Sequence, residues 1–370
     1  MRDIVLLTAD SVRYDFVDEM SFVSSLSVTP GVTGSHYTRP SLAALLTSNY
    51  RSAVRSRAVS PTVAEVFSEA GYDCIGVSGS PHTDPRFGFG KGFDSAYENL
   101  QKAGNRGKSL RQYVSQFDLV RRVYHRFNPP EAKLEHRPSN AELVDHAVRL
   151  YNDTDGPRFL WLHLMGTHRP YGLDEQAIPE DLDRKALFAP DSITESERET
   201  ITGLYSDSLA RADSEVERLF DELDGDPIIV FSSDHGDEFG EEGHYFHQPQ
   251  RRRVADALTT VPVATRGLDL DVDQLSLLDI GPTLARSQGI EPVAAWHGRD
   301  VNTTPRRSAL TVAPWHDSAT VCWRDFQTET KVVARDAEVT MTGVGEAVSV
   351  ERSDVPDDLQ SQLRDLGYKA

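Results

Sequence analysis

The side chains of this chain that could do chemistry collect just past the ends of short apolar runs. The run Pro227–Phe231 leads directly into Ser232-Ser233-Asp234-His235-Gly236-Asp237. Such a run reads as a buried parallel strand. In open α/β sheets, ligands bind beyond the carboxyl ends of the strands. A carboxylate beside an imidazole suits a metal that accepts both oxygen and nitrogen. The same residues also fit an ordinary strand-to-loop turn, with Gly236 supplying a left-handed conformation. A second strand, Ile4–Leu7, ends at Thr8-Ala9-Asp10-Ser11 and puts Asp10 in the same position as Asp234. Asp10 is either a ligand or, with Ser11, a cap for the next element. A third segment, Tyr37-Thr38-Arg39-Pro40-Ser41, precedes the run Leu42–Leu46, and Pro40 marks the first turn of a helix. Thr38 therefore lies where free N–H groups and the helix dipole favour an anion. Its hydroxyl caps the helix or, with a metal close by, becomes a nucleophile toward a phosphoryl or sulfuryl group.

Further candidates follow the same pattern. The strand Phe159–Leu164 ends in Met165-Gly166-Thr167-His168-Arg169-Pro170-Tyr171. His163 falls inside the strand and reads as a core histidine. His168 lies past its end, positioned to protonate a leaving oxygen, with Arg169 beside it as a substrate contact. After the central loop, the Gly-rich stretch Phe239–His247 carries His244 and His247 close to the Asp-His pair. The basic run Arg251–Arg253 comes next.

The elements that must position these residues read as an α/β protein with a mostly parallel sheet. Thr62–Ala70 is a helix closed by Gly71, followed by the strand Tyr72–Val77, one α-then-β unit. Residues 82–135 have no clean period and read as a lid-like excursion over the active-site face. Ala141–Tyr151 is an amphipathic helix, 173–195 an acidic loop, and Glu195–Leu223 a long amphipathic helix whose Asp207 and Asp213 are solvated or make cap contacts. A strand begins near Val261, and Leu275–Ser287 reads as a helix. From Ser308 onward, short β-type runs (309–312, 318–323, 330–334, 338–341 and 347–350) precede a last helix at 357–366. The expected division is a catalytic domain at 1–305 and a small antiparallel sheet plus helix at 306–370.

Composition narrows the partners. With 58 Asp+Glu against 39 Lys+Arg, the net charge is −19 over 370 residues, which excludes nucleic acid as the main partner. Most basic residues are Arg, and an acidic, Lys-poor surface suits a halophilic, haloarchaeal type of protein. Cys74 and Cys322 lack metal-type spacing and read as buried apolar residues. No apolar run reaches the length of a membrane span, and a strand begins too early for a signal peptide, so the expected location is cytoplasmic.

Taken in order, Leu6–Asp15, Thr38–Thr47, Thr62–Tyr72, Leu162–Tyr171, Ser233–Gly240 and Leu277–Leu284 resemble the sulfatase branch of the alkaline phosphatase superfamily. The resemblance implies an α/β/α sandwich with a small C-terminal antiparallel subdomain. It makes Asp10, Asp234 and His235 metal ligands, with Thr38 as nucleophile and fourth ligand. It places His168 beside the leaving group and His247 where sulfatases carry a Lys or His on the transferred group. Arg13 lies in a matching motif and joins Arg169 and His244 as a candidate substrate contact. Two departures bear on the chemistry. Sulfatases of this type carry Cys or Ser at position 38, converted to formylglycine, and Arg four residues on; here the residues are Thr38 and Leu42. A β-branched threonine cannot become that aldehyde. Threonine resembles the nucleophile of the superfamily's phosphodiesterases, phosphonate hydrolases and phosphoglycerol transferases, through a phosphothreonine intermediate. No Asp here has a His four residues later, the pair used by two-zinc members, so one divalent ion (Mn²⁺, Mg²⁺ or Ca²⁺) is expected. The expected function is metal-dependent hydrolysis of a phosphate or sulfate ester on a small molecule, glycan or lipid head group. The alternatives are transfer of a phosphoryl-alcohol group onto a glycan or lipid head group, and a catalytically silent anion- or glycan-binding protein.

Overall fold

The computed structural model describes residues 1–100, 137–171, 177–336, 338–342 and 348–349. Strands β1 (Ile4–Ala9), β2 (Ser27–Val32), β3 (Asp73–Ser78), β4 (Ala96–Asn99), β5 (Arg158–Leu164), β6 (Ile228–Ser233), β7 (Thr260–Arg266) and β8 (Leu275–Ser276) form one sheet. Their order is β4-β3-β5-β1-β6-β7-β2-β8. Of the pairings, only those made by β7 are antiparallel. The register decides the site: Ala9 lies opposite both Leu164 and Ser233. β1, β5 and β6 therefore end level, and Asp10, Met165 and Asp234 leave the sheet at one edge.

Alternation along the central strands builds a core on each face. Val5, Leu7 and Ala9 of β1, with Leu160 and Leu162 of β5 and Phe231 of β6, pack on one side. Helices α1 (Ser21–Ser24), α5 (Asn140–Asn152) and α7 (Glu195–Glu222) cover that side, contributing among others Val23, Leu143, Ala147, Tyr205 and Leu209. Ile4, Leu6, Phe159, Trp161 and Val230 face the other way. There they meet α2 (Thr38–Thr47), α4 (Val63–Glu69) and α9 (Ile280–Ser287). The result is the α/β/α sandwich expected from the sequence.

A second sheet has the order β13-β12-β11-β10-β9, with β9 Ser308–Trp315, β10 Ser318–Asp325, β11 Lys331–Arg335, β12 Glu338–Thr342 and β13 Val348–Ser349. All its pairings are antiparallel. Leu310, Val312, Val321 and Trp323 of this sheet bury against Ala44 of α2 and against Tyr50 and Ala53 of α3 (Tyr50–Arg55). Helix α2 is thus clamped between the two sheets, which fixes the orientation of its first turn.

Several sequence expectations need correction. The acidic stretch 173–195 contains helix α6 (Glu180–Phe188); only Leu182 and Ala186 of it are buried, so its apolar pattern is thin. The helix expected over Leu275–Ser287 begins as β8 and a 3₁₀ turn, Leu277–Asp279, before α9 proper. Pro30 and Gly31 mask strand β2 in the sequence pattern; Pro30 sits opposite Pro262, so both missing donors fall on one rung. The excursion from residue 82 starts with ordered structure, two 3₁₀ turns at Pro81–Thr83 and Pro85–Phe87 and then β4 on the sheet edge. Most of the expected lid, from 101, and the helix expected at 357–366 lie outside the described residues. Asp213 is a cap residue, accepting from the backbone N–H of Phe22 and Val23.

Candidate active site

The site grows from three strand ends and one helix start. Asp10 follows β1, and its main-chain oxygen accepts from the Thr167 hydroxyl at 2.5 Å. Ser11, the next residue, takes a left-handed backbone (φ 61°), a strain of about 1 kcal/mol or more for a side-chain-bearing residue. That turn aims the Ser11 hydroxyl at Asp10 Oδ1, 2.6 Å, and its N–H at Asp234 Oδ1, 3.1 Å. Asp234 Oδ1 also accepts the His235 N–H at 2.9 Å. Ser41, in the first turn of α2, donates to the Asp234 carbonyl at 2.5 Å and ties the helix to the β6 loop. Gly236 is not left-handed, contrary to the turn reading. Its need for glycine is steric, because a Cβ there would lie 1.9 Å from the Ala257 carbonyl oxygen.

These constraints bring the expected metal ligands together. Thr38 Oγ1 lies 3.1 Å from Asp10 Oδ2 and 3.3 Å from His235 Nε2. His235 Nε2 lies 3.4 Å from Asp234 Oδ2 and 3.9 Å from Asp10 Oδ1. Nδ1 of His235 contacts the Gly236 carbonyl at 2.8 Å, an acceptor that calls for a proton on Nδ1 and leaves Nε2 bare toward the carboxylates. Asp10, Thr38, Asp234 and His235 are at most 1% exposed. Burial and the adjacent Asp10 push the Asp234 carboxyl well above its usual range. For Asp10 the four histidines His168, His163, His235 and His247 outweigh the effect of burial and hold it well below.

Whether a divalent ion suits these residues can be judged from what they lack. Asp234 Oδ2 and His163 Nε2 are buried with no hydrogen-bond partner, an expensive arrangement unless something else satisfies them. Ligands about 2.0–2.2 Å from a metal stand roughly 3–3.5 Å apart, which is the spacing around Thr38 and His235. Two overlapping sets, Asp10/His235/His247 and Asp10/His163/Asp234, have ligand atoms within 4.8 Å of one another. The donor set fits. It also draws in His163, which the sequence placed in the core. That residue is fully buried, but its Nδ1 is held by Thr8 Oγ1 at 2.9 Å while Nε2 faces Asp10 Oδ2 at 3.8 Å.

Around this centre stand His168 and His247, their rings 4.9 Å apart, with His247 4.3 Å from the His235 ring. His247 Nδ1 lies 2.9 Å from Asp237 Oδ1, and Asp237 Oδ2 accepts the Tyr171 hydroxyl at 2.5 Å. Burial pushes both imidazoles well below the usual histidine range despite the charge on Asp10. His168 Nδ1 rests against the Arg169 carbonyl and 3.0 Å from Arg137 Nη1.

The three candidate substrate contacts are not drawn in as expected. The Arg13 guanidinium is committed to Asp15, Glu241 and the Asp237 carbonyl, stacked between Phe16 and Phe239. It braces the loop that carries Asp237. Arg169 reaches the rim but is paired with Asp183 at 3.0 Å. His244 follows a turn folded back by the bridge between Phe239 and Tyr245, which leaves its imidazole beside Arg253 and Arg251. Two arginines with no role in the sequence reading contact histidines around the site. Arg39 follows Thr38 and donates to His82 Nδ1 at 3.2 Å; Arg137 precedes α5 and reaches His168. A basic residue next to a candidate nucleophile was the available signal for Arg39, whereas Arg137 gave none.

The level strand ends, the Thr-headed helix and the buried Asp-His cluster make this the candidate active site of an alkaline-phosphatase-like fold. A family-level sequence profile described as Sulfatase matches residues 2–266, and the chain belongs to the sulfatase family. Solved structures with the same fold include a 2-O glycosaminoglycan sulfatase, 14% identical, TM-score 0.63, covering 98% of this chain and 89% of its own. The phosphonate monoester hydrolase of Silicibacter pomeroyi is 15% identical, TM-score 0.62, covering 99% and 93%. That of Agrobacterium radiobacter is 17% identical, TM-score 0.58, covering 98% and 93%. A comparison with curated protein sequences finds no match.

Proposed function

We propose that this sulfatase-family chain is a metal-dependent hydrolase of phosphate or sulfate esters in which Thr38 is the nucleophile. The observation that carries this reading is the Thr38 hydroxyl lodged between Asp10 and His235 at the head of α2. Asp10, Asp234, His235 and Thr38, with His163 as a further donor, would hold a divalent ion, which would supply Lewis acidity there. Thr38 attacks in line: its Oγ1 bonds to phosphorus or sulfur as the bond from that atom to the leaving alcohol oxygen breaks, and its proton leaves by way of Asp10. The amide N–H groups of the first turn of α2 face the charge that develops on the transferred group. His247 is held by Asp237 with Nδ1 occupied, so Nε2 is the nitrogen free to exchange a proton with the leaving oxygen or with water. His168, its ring 4.9 Å from that of His247, is a second group for the same task. Water then releases the group from Thr38. The likeness to phosphonate monoester hydrolases and to a glycosaminoglycan sulfatase supports an ester on a small molecule or glycan. No formylglycine enters this scheme, because position 38 is threonine.

The test is release of nitrophenol from a phosphate monoester, a phosphodiester and a sulfate ester in the presence of Mn²⁺. Thr38→Ala is expected to lower kcat on the order of 10³-fold or more while the thermal midpoint is kept. A slow substrate is expected to leave a phosphoryl- or sulfuryl-sized mass increment on the peptide containing Thr38. An active alanine variant sinks the nucleophile assignment.

A further inference from the structure

Two arginines around the site form no ion pair with a carboxylate among the described residues. Arg39 stacks on Phe87, 3.9 Å from its ring centroid, and its Nε is buried without a partner. Its only polar side-chain contact among the described residues is the imidazole of His82, which itself lies within the field of Asp10, His247 and His235. Arg137 donates to His168 and to the Arg169 carbonyl. Neither meets a carboxylate among the described residues, whereas the neighbouring Arg13 and Arg169 do. Burial makes both guanidinium ions harder to keep charged, and for Arg137 the charge on Asp10 offsets part of this. A half-buried cation held by stacking and by imidazole or carbonyl acceptors is poorly compensated until an anion arrives.

We propose that Arg39 and Arg137 are specificity-determining residues that recognise a substrate carrying two negative charges. The proposal rests on the ester-hydrolase reading above. Arg13 and Arg169 are already paired with carboxylates, whereas Arg39 and Arg137 meet none among the described residues and are available to anionic groups of a substrate. Position 42, where the sulfatase pattern has an arginine, holds a leucine fully buried in the core between α2 and the large sheet. That position therefore contributes no cation, and Arg39 on the same helix supplies one with a different reach. The two charges match either the dianion of a phosphate monoester or a monoanionic ester with a second acidic substituent. A phosphodiester or a simple sulfate ester offers only one.

The experiment compares wild type, Arg39→Gln, Arg137→Gln and Arg39→Lys. Substrates are 4-nitrophenyl phosphate, bis(4-nitrophenyl) phosphate, and 4-nitrophenyl sulfate with and without a ring carboxylate. Each Gln variant is expected to raise KM about tenfold or more for the dianionic esters and to change it less than about threefold for the monoanionic ones. Arg39→Lys is expected to recover part of the preference, since it restores charge without the planar fork. Preference between the phosphate monoester and the carboxylated sulfate separates the two kinds of dianion. A parallel binding measurement uses inorganic sulfate, a dianion, and methanesulfonate, a monoanion of similar shape, on the Mn²⁺-loaded protein. If no ester is turned over, the hydrolase reading fails, yet a preference for sulfate that is lost in the Gln variants still supports the arginine pair. Equal binding of the two anions by wild type, or equal losses for both charge classes, overturns the proposal.

Discussion

At the scale of single residues, the site is a set of unmet demands. Two carboxylates, Asp10 and Asp234, are completely buried within reach of one imidazole nitrogen, and one oxygen of Asp234 has no partner. Like charges this close disfavour double ionisation. The metal-free protein is accordingly expected to carry part of this repulsion as instability. Asp234→Asn should leave the thermal midpoint of the metal-free protein unchanged or higher, while the upward shift on adding Mn²⁺ disappears. Scanning calorimetry with and without metal checks both halves. A large loss of metal-free stability would mean that Asp234 is held by interactions other than an ion. Asp237 acts one step removed, since Tyr171 fixes one of its oxygens and the other fixes His247. Asp237→Asn is expected to lower kcat on the order of tenfold to a hundredfold with little change in KM, most for esters with poor leaving groups, by loosening the tautomer of His247. A parallel rise in KM would assign Asp237 to substrate binding instead.

At the scale of elements, precision comes from where strands stop and how loops are tied. The common end of β1, β5 and β6 is set by register, and Ser41 and Thr167 then stitch the emerging loops to each other through the Asp234 and Asp10 carbonyls. Gly236 is a tight point of the site, because the strand-end loop passes against the Ala257 carbonyl. Gly236→Ala should therefore displace His235 and weaken Mn²⁺ binding at least about tenfold, with a stability loss of roughly 1–3 kcal/mol from overpacking. Titration with Mn²⁺ and urea unfolding measure the two effects separately. Wild-type metal affinity in the alanine variant would show that the loop yields. The long helix α7 opens with a capping box in which Thr194 and Glu197 bond each other's backbone N–H, so its start was readable from sequence.

At the scale of the whole molecule, charge and pH set the working range. A net charge of −19 repels itself in dilute buffer, and screening on a scale of about 3 Å at 1 M salt removes that repulsion. The thermal midpoint is expected to rise between 0.1 M and molar KCl, and a flat response would count against a halophilic protein. Acid works the other way. Burial pushes the His36 imidazole down to about 3, from an ordinary value near 6.5. The folded state therefore binds fewer protons than the unfolded chain in this interval. His36 contributes stability that is present above pH 6.5 and lost as pH falls toward 3. His82 is depressed to about 3 in the same way, chiefly by burial and then by Arg39. The midpoint is expected to fall through this window, less steeply in His36→Asn; identical slopes would remove His36 as a cause. Among the described residues no helix is long and apolar enough to cross a membrane.

The sequence by itself determined the α/β class and the small antiparallel sheet, and it singled out Asp10, Thr38, Asp234 and His235 as candidates. These are properties of local pattern: apolar runs of strand length, polar residues where those runs stop, and Pro40 at a helix start. Tertiary structure alone decided which polar residues meet. Strand register put Asp10 level with Asp234, whereas Arg13, with the right motif around it, was captured by Asp15 and Glu241. His163 looked like core from its place in a strand, and only the neighbouring strand showed that its Nε2 faces Asp10. Arg137 is distant in sequence from every motif and enters the site because α5 begins beside the end of β5. Local pattern reports which backbone a segment prefers. Side-chain partnership depends on segments far apart in the chain, and their pairing is fixed only when the two faces of the sheet are packed.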